Sequence, residues 1–375
     1  MRRKLRLTAA VLVVLLGAVA IVAVIEHSWS AAQLRAVVVL SVTENTPVLA
    51  WTMRVVTPEP HVDEALVGGA PSTVVRPGSG DGPWPAVVFV NGATRRGRHH
   101  PKVQRLARGL ARAGFFVVVP DLPGLRLGEI TPATAAATIR AARATAESAN
   151  ARDGRVGFYG VSVGATLALL AAESAALANR VTVVGGEAPW VDLRRIIRLT
   201  TTGLYGGKRY ETDPYAALAV ARSLAAGLSA GPQRSKLLAE LESVDDDHPA
   251  PLAGLNAADY SGPAGALVRL LENRSPRRFA GLYARLSARQ RHAIRALSPI
   301  GRAGRLRMPV ELATAPHDKY FPPAESRALA RAAPDVRVTV TSTLDHAVPK
   351  LSAGDLADLF RFDGFVVRYL RLARG

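Results

Sequence analysis

A serine flanked by two glycines stands where a strand-like segment changes into a helix-like one. Residues 155–159 are strand-like and residues 165–177 are helix-like, and Gly160, Ser162 and Gly164 lie between them as Gly-Val-Ser-Val-Gly. In this context the serine occupies a strained turn that lifts its hydroxyl above the edge of a sheet. The helix N-terminus beneath it offers free N–H groups and positive potential, which favour an oxyanion. The segment therefore predicts a nucleophilic hydroxyl suited to attack on a carbonyl carbon.

An acid and a histidine follow this serine in chain order, each just beyond a strand-like segment. Residues 308–314 lead to Asp318, and residues 336–341 lead to His346. Because the carboxyl ends of parallel strands meet at one edge of a sheet, both side chains are expected beside the serine. Glu187 and Asp192 are alternatives for the acid, and His317 is an alternative for the histidine.

Short apolar segments alternate with helix-period segments from residue 72 onward. The pattern predicts an α/β fold with a doubly wound, mostly parallel sheet. Residues 72–76 and 86–90 enclose a Gly-rich turn, and we expect them to pair as a hairpin rather than to form a phosphate-binding loop, since no helix follows the turn. Residues 101–113 and 131–148 are expected to be helices of the crossovers.

The serine motif, the acid and the histidine together resemble the α/β-hydrolase superfamily, in particular its esterase and peptidase branch, similar to dienelactone hydrolases and prolyl oligopeptidases. The resemblance covers residues 72–190 and 300–372. It implies that Ser162 is the nucleophile, that His346 is the general base and then the general acid, and that Asp318 orients the imidazole.

The resemblance also implies an oxyanion hole made of two backbone N–H groups. One belongs to Val163, which follows the nucleophile, and the other lies in the loop after residues 86–90. This loop reads Asn91-Gly92-Ala93-Thr94, where the superfamily often has His-Gly. Asn91 in place of histidine leaves the backbone N–H donors present, but it makes the identity of the second donor less certain from the sequence. We expect Ala93 to donate, and Thr94 is the alternative.

A long helical stretch separates the two parts of the expected core. We predict a first core part at residues 72–190, a helical cap at residues 191–300 and a second core part at residues 301–375. The cap carries aromatic residues that could line an acyl pocket: Tyr205, Tyr210, Tyr215, Tyr260, Phe279 and Tyr283.

The N-terminus predicts a transmembrane helix. Residues 7–25 hold no charged side chain and are long enough to cross a bilayer, and Trp29 suits the membrane interface. Residues 1–30 are thus expected to form a single-pass cell-membrane anchor, or alternatively a cleaved signal peptide, and residues 31–71 a membrane-proximal segment. Basic side chains precede the span, so we expect the N-terminus in the cytoplasm and the hydrolase domain outside it: Arg2, Arg3, Lys4 and Arg6.

The amino-acid composition excludes several other classes of protein and site. The chain has 375 residues, 49% of them hydrophobic, and contains no cysteine, which excludes disulfide scaffolds and thiolate sites. Its net charge is +18, but no nucleic-acid module accompanies it, so we expect no nucleic-acid partner. His99 and His100 lack a carboxylate at ligand spacing, and we expect neither a metal nor a cofactor.

The sequence therefore predicts a membrane-anchored serine hydrolase acting on a small-molecule or lipid-like carboxylic ester. A peptidase or a thioesterase would use the same residues. A membrane-tethered binding protein that keeps the fold without catalysis is the alternative from another class, and an intact set of three residues argues against it.

Overall fold

The computed structural model describes residues 27–244, 252, 254–349 and 356–375. The predicted span at residues 7–25 lies outside this part of the chain. Within the described ranges, no helix combines the length and the apolar character needed to cross a membrane.

A mostly parallel sheet of eight strands forms the centre of the fold, which confirms the predicted α/β fold with a mostly parallel sheet. Its order is β1-β2-β4-β3-β5-β6-β7-β8. The ladders β1/β2 and β2/β4 are antiparallel, whereas the remaining neighbours pair in parallel. The strands are β1 (His61–Val67), β2 (Ala70–Arg76), β3 (Trp84–Val90), β4 (Phe116–Pro120), β5 (Ala151–Val161), β6 (Val181–Glu187), β7 (Val310–Thr314) and β8 (Val336–Val340).

The predicted hairpin between residues 72–76 and 86–90 is wrong. β4 lies between β2 and β3 in the sheet, and β2 pairs instead with β1. The actual hairpin turns at Gly68 and Gly69, both of which have positive φ. This turn permits a two-residue connection, whereas the longer Gly-rich segment carries the chain past β4.

Helices cover both faces of the sheet. Successive side chains of β3 alternate between two cores, since Val88 packs with one cluster and Phe89 with the other. The helices are α1 (His27–Glu44), α2 (Pro47–Val56), α3 (Pro101–Arg112), α4 (Pro132–Ala146), α5 (Val163–Ala172), α6 (Leu193–Thr202), α7 (Pro214–Ala226), α8 (Pro232–Glu242), α9 (Gly262–Leu271), α10 (Phe279–Ala284), α11 (Ala288–Ala296), α12 (Pro323–Ala332) and α13 (Leu356–Leu372).

Six of these helices, α6–α11, occupy the stretch predicted to form the cap. Their apolar residues, such as Leu193, Leu218 and Leu267, are buried in the same cluster as the β3 residue Val88. Two short ladders lie outside the main sheet, one after α6 and one after β8: Leu204–Tyr205 with Lys208–Arg209, and Leu344–Asp345 with Val348–Pro349.

The N-terminal part of the described chain, within the predicted membrane-proximal segment at residues 31–71, packs into the main fold. β1 and β2 are strands of the main sheet, and α1 packs on α3 and α13. The reason is an apolar stripe at helical spacing, Ala32, Ala36 and Val39, whose exposure is at most 4%. The Trp29 ring, predicted to lie at a membrane interface, contacts the Arg371 guanidinium, which lies 4.5 Å from the ring centroid.

Polar contacts fix α1 on these two helices. The Gln33 side chain donates to the Asp363 carboxylate over 2.8 Å, and Arg105 Nε donates to the Thr43 carbonyl oxygen over 2.9 Å. At Gly109 the backbones come so close that a Cβ atom would lie 3.2 Å from the Val39 carbonyl oxygen. α1 is therefore part of the core of the fold.

Candidate active site

Ser162 occupies the sharp turn between β5 and α5. Its φ of 54° and ψ of −124° place it in a region that non-glycine residues rarely adopt. The flanking glycines make the turn possible, because a Cβ on Gly160 would lie 2.4 Å from Ala165 Cα and one on Gly164 would lie 2.1 Å from the Val90 carbonyl oxygen. The Ser162 N–H donates to the Glu187 carbonyl oxygen over 2.7 Å, which ties the strained turn to the neighbouring strand.

His346 lies beside this hydroxyl. Its Nε2 is 2.8 Å from Ser162 Oγ, and its Nδ1 is 2.8 Å from Asp318 Oδ2. The imidazole stacks on Tyr320 with centroids 4.3 Å apart and meets Phe321 edge-on at 5.6 Å. These contacts hold the ring between the hydroxyl and the carboxylate, and they leave 14% of the His346 side chain exposed.

Asp318 is fully buried, and backbone donors fix its carboxylate. Its Oδ1 accepts the N–H groups of Tyr320 over 2.8 Å and Phe321 over 2.9 Å. The Tyr210 hydroxyl donates to the Asp318 carbonyl oxygen over 2.6 Å. Burial, and secondarily the nearby Asp318 charge, raises the pKa of Tyr210 to about 12, so the hydroxyl stays a donor at neutral pH.

The structure brings together Ser162, His346 and Asp318, and it leaves the other candidates apart. Glu187 accepts a hydrogen bond from the Tyr159 hydroxyl. Asp192 caps α6 by accepting the N–H groups of Arg194 and Arg195. His317 is exposed on the loop that carries Asp318.

Sequence reasoning missed the aromatic and acidic residues that support this arrangement. Tyr320 and Phe321 follow Asp318 directly, and this adjacency was the available signal for their role in holding the histidine. Glu325 had no sequence signal, because its partners are distant in the chain. Its buried carboxylate accepts the N–H groups of Val191 and Asp192, each over 2.8 Å, and so fixes the loop after β6.

The loop after β3 packs against the serine turn. A Cβ on Gly92 would lie 3.5 Å from Ser162 Cβ. Asn91 is buried, and its Nδ2 donates to the Gly92 carbonyl oxygen over 2.7 Å. Ala93 and Val163, the two predicted oxyanion donors, line the same cavity as Ser162 and His346. The two residues thus face the space where a substrate carbonyl would meet the serine.

This cavity has a volume of ≈ 320 Å³. Of the six cap aromatics predicted to line an acyl pocket, only Tyr215 contributes to its wall within the described chain. Tyr205 donates instead to Glu325 and Tyr210 to Asp318, whereas the remaining three are buried among the helices: Tyr260, Phe279 and Tyr283. The cap therefore contributes mainly to packing and to the support of the acid loop.

Within the described residues, no cluster of three or more histidine and acidic side chains could hold a metal ion. His99 is exposed, and His100 caps α3, its Nδ1 accepting the Lys102 N–H over 3.3 Å. Burial, aided by the charges of Arg96, Lys102 and Arg105, lowers the pKa of His100.

The sheet, the serine turn and the adjoining histidine and acid define a class of protein. The chain is a serine hydrolase with the α/β-hydrolase fold, as the motif predicted. Residues 71–241 match the family of X-Pro dipeptidyl-peptidases (S15 family), and over this part, less than half of its length, the chain is similar to that family. No curated protein matches the chain.

Solved structures of hydrolases are similar to the chain at low identity. An esterase from Pyrobaculum calidifontis is 16% identical, with a TM-score of 0.47 and coverage of 92% of this chain and 90% of the esterase. A puromycin-hydrolyzing peptidase from Mycobacterium tuberculosis is 17% identical, with a TM-score of 0.45 and coverage of 83% and 37%. An acylaminoacyl peptidase from Pyrococcus horikoshii is 13% identical, with a TM-score of 0.47 and coverage of 85% and 41%. The chain thus spans well under half the length of these two peptidases.

Glu187 makes the stability of the protein depend on pH. Complete burial raises the pKa of Glu187 to about 7, the Tyr159 hydrogen bond lowers it in part, and Glu44 raises it further. Because the pKa is higher in the folded than in the unfolded chain, the stabilisation is present at acid pH and is lost as the pH rises through about 7. Between about pH 5 and pH 8, the unfolding free energy of the wild type should fall by up to about 3 kcal/mol relative to Glu187→Gln.

Urea unfolding of both proteins across this pH range measures the difference. Glu211→Gln, which removes an exposed carboxylate, is the matched control and should run parallel to the wild type. Parallel curves for Glu187→Gln and the wild type would show that Glu187 stays ionised in the folded protein.

Proposed function

We propose that the protein hydrolyses carboxylic esters through an acyl-enzyme formed on Ser162. The observation that carries this proposal is the continuous hydrogen-bonded line from Ser162 Oγ through His346 to the buried Asp318 carboxylate, with both links at 2.8 Å. A nucleophile in reach of a base, with the base oriented by a third group, is the arrangement that activates a serine.

In this mechanism Ser162 Oγ attacks the ester carbonyl carbon while its proton moves to His346 Nε2. The tetrahedral intermediate collapses when the imidazolium returns this proton to the leaving alcohol, which gives the acyl-enzyme. A water molecule then attacks the acyl carbon, gives its proton to His346, and the free acid departs as the proton returns to Ser162. Asp318 holds the Nδ1–H tautomer and stabilises the imidazolium in both halves of the reaction.

The oxyanion of each intermediate is assigned to the backbone N–H groups of Val163 and Ala93. Val163 is the first residue of α5, where helix N–H groups lack partners and the helix dipole is positive. Each such donor contributes on the order of 3 kcal/mol to the stability of the transition state. Because both donors belong to the backbone, Asn91 does not prevent this role.

A dipeptidyl-peptidase activity is the second candidate, favoured by the family match over residues 71–241. Such an enzyme must hold a protonated peptide amine near the serine, which calls for an ionised carboxylate. Among the described residues, the carboxylates that line the cavity are Glu44 and Glu187, and burial raises the pKa of both groups. This environment suits an uncharged acyl group better than an ammonium group, so we favour ester hydrolysis.

Replacement of the nucleophile tests the chemistry. Ser162→Ala should lower ester turnover by several orders of magnitude and abolish labelling by a fluorophosphonate, because it removes the hydroxyl that His346 Nε2 contacts. Circular dichroism should show an unchanged fold. Labelling that persists on a different residue would refute the assignment, and a wild type that hydrolyses no ester, peptide or thioester would favour a binding protein.

Replacement of the acid tests which carboxylate orients the imidazole. Asp318→Asn should leave folding intact and reduce kcat by about 10⁴-fold, because the amide favours the wrong tautomer of His346. Glu187→Gln is the matched control, since Glu187 is equally buried but bonded to Tyr159. An active Asp318→Asn beside an inactive Glu187→Gln would assign the role to the earlier loop.

We further propose that residues 7–25 anchor the protein in the cell membrane with the hydrolase domain outside the cytoplasm. The support is the charge asymmetry: four basic residues precede the uncharged segment, whereas residues 26–50 contain one, Arg35. Basic flanks stay on the cytoplasmic side of a span.

A pair of C-terminal fusions tests this topology. A reporter that is active only outside the cytoplasm should be active, and a reporter that is active only inside should be silent, with both fusions retained in the membrane fraction. Activity of the cytoplasmic reporter alone would overturn the topology, and release of the domain into the medium would favour a cleaved signal peptide.

A further inference from the structure

The cavity at Ser162 is lined on one side by Tyr215, Ala216 and Ala219 of α7, and it extends on the other side into the layer formed by α1, α3 and α13. Its floor is the pair Phe89 and Tyr159, which face each other in register on β3 and β5. The helices that surround this floor present aliphatic and aromatic side chains along most of its length: Val39, Leu40, Val103, Leu106, Leu110, Phe362, Val366 and Leu370.

The direction of the cavity follows from the topology. α3 comes after β3 and α13 comes after β8, so both helices start near the sheet edge that holds Ser162 and run back along the sheet. The lining residues Val103, Leu106 and Leu110 occupy successive turns of α3, a distance of about 10 Å along the helix. The cavity therefore has an elongated arm along α3 that begins at the serine.

The other end is closed by the crossing of α1 and α3. At Gly109 the two backbones approach so closely that a Cβ atom would lie 3.2 Å from the Val39 carbonyl oxygen. Leu110 and Leu370, which line this end, are each 1% exposed. A ligand that enters from the serine thus has a limited length available.

Charged groups concentrate at the serine end. Glu44 ends α1 and is close enough to Lys102, at the start of α3, for their charges to interact. The Tyr159 hydroxyl donates a hydrogen bond to the Glu187 carboxyl group. The Thr43 hydroxyl donates to the Val39 carbonyl oxygen over 2.7 Å. Tyr369, which also lines the cavity, contributes an uncharged hydroxyl group. Beyond the mouth, the walls therefore suit an uncharged, apolar chain.

We propose, on the basis of the proposed function, that this cavity holds the acyl chain of the substrate and that the crossing of α1 and α3 limits its length. The substrate class is an ester of a medium-length, unbranched carboxylic acid. Its carbonyl carbon lies at Ser162, and its methyl end lies near Leu110 and Gly109. α1, which precedes the sheet, is then a specificity element of the active site.

A chain-length series tests the proposal. With p-nitrophenyl esters, kcat/KM should rise about fourfold for each methylene that enters the cavity, from acetate through butyrate to octanoate. It should fall for palmitate, because the chain exceeds the closed end. A preference for acetate, or equal rates for octanoate and palmitate, would overturn the proposal.

Two substitutions of one wall residue should change the substrate preference in different ways. Leu106 lines the cavity and is only partly buried, so changes there are tolerable for folding. Leu106→Trp should lower the octanoate-to-acetate ratio of kcat/KM at least tenfold, and Leu106→Ala, which widens the cavity without opening its closed end, should raise the rate for branched relative to unbranched chains. Leu238→Trp, at a partly buried leucine of α8 outside the cavity wall, is the control and should leave the ratio unchanged.

A binding measurement separates this proposal from the proposed chemistry. Ser162→Ala cannot form an acyl-enzyme, yet octanoate should raise its melting temperature, and the added substitution Leu106→Trp should remove that shift. Ester hydrolysis without any chain-length preference and without octanoate binding would refute the acyl cavity alone. Octanoate binding by a protein that hydrolyses no ester would refute the proposed ester hydrolysis and keep the cavity assignment.

Discussion

The turn at Ser162 is the constraint on which the site depends. A non-glycine residue with φ of 54° persists only where its surroundings hold it, and here the surroundings are the backbones of β3, β5 and α5 in contact. Gly160 and Gly164 allow this contact because they lack a Cβ, and the bond from Ser162 N–H to the Glu187 carbonyl oxygen fixes the turn to β6. The position of the hydroxyl is thus set by three neighbouring strands rather than by the loop alone.

Two buried carboxyl groups near this turn receive different hydrogen bonds, and this difference suits them to different roles. Asp318 receives the N–H groups of Tyr320 and Phe321 together with His346, an arrangement that stabilises negative charge. Glu187 is also buried but receives only a phenolic hydroxyl, and its pKa rises to about 7. The two carboxyl groups differ in the hydrogen bonds that they receive, rather than in burial or in proximity in the chain. Asp318 is therefore suited to orient an imidazole, whereas Glu187 tends to be neutral.

Much of the core and the relative order of the candidate residues could be predicted from the sequence, because both depend on local patterns. The serine turn, the parallel strands and the positions of Asp318 and His346 after their strands follow from apolar runs and chain order. The docking of α1 could not be predicted in this way. Residues 36–42 have the same apolar character whether they face lipid or a protein core, and only the partners on α3 and α13, distant in the chain, decide between the two. The hairpin error has the same origin, since β4 inserts between β2 and β3 from a later part of the chain.

The docking of α1 also links packing to the site. The side chains of α3 and α13 do not close over Phe89 and Tyr159 on the sheet. α1 lies across these two helices and makes close backbone contact with α3 at Gly109. An enclosed space remains between the three helices and the sheet, and it opens toward Ser162. Apolar space of this kind forgoes dispersion contacts, so it reduces the stability of the empty protein. Under the proposed assignment, an acyl chain that fills this space would recover those contacts. The energetic cost of the unfilled space would then be offset when the acyl chain binds beside the reacting carbon.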